Sequence, residues 1–151
     1  MAGQTAQAHA VTLLVVHLVL VAAYAGFQWT VRLLVYPQFA RVPPAAFAAY
    51  ERSHQRLVTR VVGPLFAGQA VTTLLLLGLR PAGVPLLPVL AGAAALAVVL
   101  AVTALLAVPL HRQLDGGWDA GAHRRLLRVD DVRVAAATAG VAAAAWALLA
   151  V

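Results

Sequence analysis

Four stretches of the chain are nearly unbroken runs of apolar residues, and the polar positions gather between them. The runs cover about 11–35, 57–79, 84–110 and 132–151. At 1.5 Å of rise per residue, each can cross a hydrocarbon layer of about 30 Å. An unpaired strand would leave backbone groups unsatisfied in lipid. The pattern therefore predicts an all-α protein, an integral membrane four-helix transmembrane bundle forming a single domain over residues 1–151. The first run lacks a basic leader and exceeds a signal segment in length, so it reads as a retained span.

The connections differ in kind. Arg80 to Gly83 is a short Pro/Gly turn that predicts a tight antiparallel hairpin of spans two and three. Phe39 to Arg56 contains Pro43-Pro44 and then a helical stretch, Ala45 to Gln55, that runs toward span two. His111 to Arg128 contains Gly116-Gly117-Trp118, a break with an aromatic suited to the membrane interface. Small residues crowd spans three and four, as in Ala91 to Ala95 and Ala135 to Ala145, and predict close packing of these two helices. Each half also reads span, proline (Pro37, Pro109), polar link, then a His-centred basic run (His54 to Val58, His123 to Leu127). A duplication and chance similarity both account for that repeat.

Composition agrees with the pattern: 63% of the residues are hydrophobic and 11% charged, against roughly half and a quarter in soluble domains. All 11 basic side chains are arginine, and only Arg80 lies away from the two longer links. The positive-inside rule then puts those links in the cytoplasm and both termini outside, in a bacterial cytoplasmic (inner) membrane. Arginines that flank apolar spans point to topology and anionic lipid, with no nucleic-acid partner. Cysteine is absent, which excludes disulfides, thiolate metal sites and thiol redox chemistry.

Polar groups at membrane depth are candidates for function. His17, Tyr24, Gln28 and Arg32 fall within an arc of roughly 80° on span one, a stripe that must face the bundle interior. With Gln69, at a depth near that of His17, they are candidate substrate-binding residues; interhelical hydrogen bonding explains the stripe equally well. Glu51-x-x-His54 has the helical spacing that presents a carboxylate and an imidazole to one metal. His111, together with Asp130 or Asp131, would complete a mononuclear iron, zinc or manganese site whose expected ligands include Glu51, His54 and His111. The alternative is a solvated charged rim with no metal at all.

At Tyr36-Pro37-Gln38-Phe39, Phe47-x-x-Tyr50-x-x-x-His54, Val62-Gly63-Pro64-Leu65 and Pro109-Leu110-His111-Arg112-Gln113-Leu114, the chain resembles a group of small four-span bacterial membrane proteins. More distantly it resembles the anthrone oxygenase-like family, some of whose members oxidise anthrones to anthraquinones with molecular oxygen. The family's Pro-x-Asn-x-x-Leu has His111 at the Asn position here, and Asp130-x-x-Arg133 stands where His-x-x-Arg would, so Arg133 matches and the histidine does not.

The function expected is a small membrane oxidoreductase or oxygenase-like enzyme for a hydrophobic aromatic or quinone-like substrate. His54 and His111 would act as base or ligand, and Arg133 or Arg32 would stabilise an oxyanion. The alternative is a non-catalytic accessory subunit of a larger membrane complex, or a small transporter built as a homodimer.

Overall fold

The structure is a computed structural model describing residues 2–151, and it contains helices and turns with no strand among the described residues. Four helices are long and apolar enough to cross a membrane: α1 (Gly3–Phe39), α2 (Pro44–Leu79), α3 (Leu86–Leu114) and α4 (Ala120–Leu149). The fold is an all-α four-helix bundle, as the apolar pattern predicts. Large apolar side chains such as Val19, Leu33, Leu74 and Leu105 are exposed on its outer surface. Water would penalise such a surface and lipid does not.

Helix ends follow local chemistry. Pro43 caps α2 and Pro44 occupies its first turn, where a missing N–H costs nothing. The Ala45 to Gln55 stretch is continuous with span two, and α2 runs unbroken through Pro64. Arg80 to Pro85 reverses the chain, with the Val84 amide donating to the Pro81 carbonyl at 3.1 Å. Gly83 takes φ +90° there, a conformation that side chains resist. Asp119 caps α4, its Oδ1 accepting from the Gly121 and Ala122 amides at 2.7 and 3.0 Å.

Two stretches are π-helical, Val31–Val35 in α1 and Thr103–Ala107 in α3. Each ends two residues before a proline, Pro37 or Pro109. Proline cannot donate to the carbonyl four residues back. The preceding residue reaches five back instead: Tyr36 to Val31, and Val108 to Thr103. The same device thus occurs at both prolines of the internal repeat read from the sequence.

The packing is uneven. α3 with α4 and α1 with α4 are closely apposed, whereas α2 and α3 touch least of the neighbouring helices, despite their short connection. At Gly140 of α4, an added Cβ would lie 3.4 Å from Val21 and 3.6 Å from Ala95. Small residues thus bring α1, α3 and α4 together along the half of the bundle bearing the Arg80 turn. Toward the other end the candidate site lies between α2 and α3.

Candidate functional site

At the end of the bundle carrying the longer links, aromatic rings form a buried plug. Phe39 packs on His54 (ring centroids 4.9 Å apart), Tyr50 (5.5 Å) and Phe47 (5.9 Å), and Phe47 meets Trp118 at 5.0 Å. Beneath the plug lies a cavity of about 250 Å³. α2 supplies His54, Gln55, Val58, Val62 and Phe66 to its walls, α3 supplies Ala107 and His111, and Tyr36 and Arg133 complete them. Thr59, Gly63 and Val108 also line it and are exposed on the bundle's outer surface. The mouth is therefore lateral, between α2 and α3.

A chain of hydrogen bonds runs behind this wall. His111 Nδ1 donates to Glu51 Oε1 at 2.5 Å, and Glu51 is fully buried. That bond leaves Nε2 as the acceptor for the Tyr36 hydroxyl, 3.0 Å away. Gln55 Nε2 donates both to Glu51 Oε1 (3.1 Å) and to Asp115 Oδ1 (2.8 Å), tying the carboxylate to the end of α3. His123 Nε2 donates to the Tyr36 carbonyl at 2.8 Å and holds α1 against α4 here. A carboxylate orients an imidazole, and the imidazole accepts from a hydroxyl: this is the order in which nucleophiles and bases are activated, with a phenol in the hydroxyl's place.

Deeper in the bundle a second network joins α1 to α4. Gln28 Oε1 accepts from the Tyr24 hydroxyl and from Arg133 Nη2, both at 2.9 Å, while Gln28 Nε2 donates to Asp130 Oδ1. Arg133 Nη1 lies 3.5 Å from the same Asp130 oxygen. Asp130 Oδ2, Arg133 Nε and Glu51 Oε2 are buried without a hydrogen-bond partner among the described residues. Arg133 reaches the cavity wall, so this network delivers a positive charge to the cavity.

The predicted site residues are thus divided. His54, His111 and Arg133 share the cavity. Tyr24 and Gln28 stand behind Arg133 and hold it in place. His17 donates through Nδ1 to Thr72 Oγ1 at 2.8 Å, and Gln69 donates to the Leu65 carbonyl at 3.3 Å. His17 and Gln69 border a separate void of about 10 Å³, room for roughly one water. They do not contact each other through a hydrogen bond, and no ligand larger than water fits between them.

Arg32 departs from the predicted stripe. The π-helical stretch begins at Val31 and changes the helical phase, so Val31 and Tyr36 turn inward while Arg32 points outward to Asp131, with Nε to Oδ1 at 2.5 Å. Arg32 therefore plays no part in the cavity. No group of three or more His, Asp or Glu side chains among the described residues is placed to hold a metal ion. Glu51 and His111 bond to each other, and the His54 ring lies 5.8 Å from the His111 ring.

Two participants escaped the sequence reading as site residues, Tyr36 and Gln55. Tyr36 had a visible signal: a hydroxyl at the end of the first apolar run, immediately before a proline. Comparison with known families, characterised proteins and solved structures finds no match for this chain.

Proposed function

We propose that this protein is a small membrane oxidoreductase of the oxygenase-like kind, acting on a hydrophobic aromatic or quinone-like substrate. The observation that carries the reading is the Glu51–His111–Tyr36 relay, set in an apolar cavity that opens sideways. A lipid-soluble ring system enters from the bilayer between α2 and α3 and places its oxygen toward Arg133. A cavity of 250 Å³ is near the lower end of ligand pockets, so part of the substrate stays in lipid.

Tyr36 accepts a proton from the substrate as its own passes to His111 Nε2, and Glu51 stabilises the resulting imidazolium. Arg133 faces the phenolate that forms. With molecular oxygen as co-reactant, an activated ring methylene that has lost its proton takes up O2, releases one water and ends as a carbonyl, so CH2 and O2 become C=O and H2O.

The test uses protein in lipid nanodiscs, anthrone as the probe and oxygen uptake as the readout. The native protein should convert anthrone to anthraquinone. Tyr36→Phe and His111→Ala should be slower by about 10²- to 10⁴-fold, and His54→Ala should also lose turnover, all with unchanged helicity. No turnover by the native protein, or full turnover in these variants, would sink the reading. The proposal extends to a cytoplasmic membrane with both termini outside. Because the chain has no cysteine, single cysteines at residue 4 and at Gly116 report this cleanly. Labelling of both from one compartment refutes the orientation.

A further inference from the structure

The outward face of α3 carries a second depression, unrelated to the cavity. Leu105, Leu106, Pro109 and Leu110 of α3, with Arg125, Arg128 and Val129 of α4, line an open groove of about 480 Å³. Arg125 and Arg128 are one helical turn apart and exposed. Among the described residues neither makes a hydrogen bond or ion pair. Asp119, whose charge Arg125 feels, has both oxygens engaged, one by the Gly121 and Ala122 amides and the other by Gln113 Nε2 at 2.7 Å.

The groove on the other side of α4 supplies a control within the same molecule. Trp29, Arg32, Leu33, Asp131, Val134, Ala135 and Thr138 line a similar depression of about 540 Å³. There the arginine is paired with Asp131 at 2.5 Å, and no cationic group is left over. Two grooves of like size and apolar character therefore differ in one respect: only the α3/α4 groove presents unpaired guanidinium groups.

We propose that the α3/α4 groove binds an anionic glycerophospholipid. Its phosphodiester lies between Arg125 and Arg128, and an acyl chain lies along Leu105 and Leu106. The two guanidinium groups offer planar donor forks that match phosphate oxygens. Arg125 is five residues into α4, roughly 8 Å from the helix end, a depth from which a long side chain reaches the headgroups. A free phosphate would leave the four apolar lining residues of α3 uncovered, whereas a lipid fills both parts of the groove.

Native mass spectrometry of the protein from mixed phosphatidylglycerol and phosphatidylcholine micelles tests this. The native chain should retain phosphatidylglycerol selectively. An Arg125→Gln/Arg128→Gln variant should retain it roughly 30-fold less, and Leu106→Trp, which fills the groove and keeps both charges, should also lose it. An Arg41→Gln/Arg52→Gln variant, with the same net charge as the first, should behave as native. Equal retention by the two double variants would overturn the proposal, because general charge would then explain the binding. Retention undiminished in Leu106→Trp would overturn it as well, as would displacement by glycerol phosphate at the concentration at which the lipid competes.

Discussion

The two ends of this bundle are made from the same four helices and treat polar groups in opposite ways. Near the Arg80 turn, His17 and Gln69 each make a hydrogen bond within the bundle, and the space between the helices is about 10 Å³. Near the longer links, His111, His54 and Arg133 face about 250 Å³ of open space. Buried polarity alone therefore does not mark a site in a membrane bundle. Polarity becomes chemistry only where packing leaves room for a second molecule. The difference goes with side-chain size: alanine and glycine draw α1, α3 and α4 together at one end, and at the other the larger aromatic rings pack into a plug with the cavity beside it.

The largest expected effect falls on the link between the two regions. Arg133 is 5% exposed and Asp130 fully buried. Asp130→Ala would leave a guanidinium in the interior without its carboxylate, at a cost of about 3–5 kcal/mol. Thermal unfolding in detergent should show that loss, and a native-like midpoint would mean that Gln28 and Tyr24 suffice to hold the charge.

A pair of glycine substitutions tests whether packing separates the two ends. Gly140→Leu places a large side chain where even a Cβ meets Val21 at 3.4 Å, and it should cost about 1–3 kcal/mol through overpacking. Gly63→Leu meets nothing within 4 Å of its Cβ but narrows the cavity mouth. It should leave the unfolding midpoint near native and suppress anthrone turnover. Similar stability losses in both variants would erase the distinction between a packed end and an open end.

His17→Leu is expected to be milder. It removes one interhelical hydrogen bond, worth about 1 kcal/mol, and should not change turnover. A large loss of turnover would show that the two polar regions are coupled.

The spans, the turn at Arg80 and the close packing of α3 on α4 were legible because they follow from solvent and from side-chain size. Those are properties of short segments. The tight pairing of spans two and three was not, because a short connection does not itself supply an interface. The cavity was legible only in fragments. His54, His111 and Arg133 stood out as ionisable groups beside apolar runs, but their convergence depends on how far α2 diverges from α3. Arg32 shows the limit most clearly. A uniform 100° per residue places it with Tyr24 and Gln28, and the π-helical turn before Pro37 breaks that period. Glu51 and His111 were read as ligands because the residue types allow it; that they bond to each other is a fact of tertiary placement.

The smallest expected effect concerns the link that lets α4 return beside α3. The Ala122 and Gly121 amides hold the Asp119 carboxyl below the ordinary aspartate pKa. A lowered folded-state pKa means that the ionised form is favoured by folding. The contribution is therefore fully present above the ordinary aspartate value and is lost as the pH falls through the lowered one. Asp119→Asn keeps a capping oxygen without the charge. Its stability should be slightly below native near neutral pH, and the two unfolding curves should converge on acidification. Divergence at low pH would assign the acid response to a carboxylate other than Asp119. A constant offset at every pH would show that the difference comes from the geometry of the cap and not from its charge.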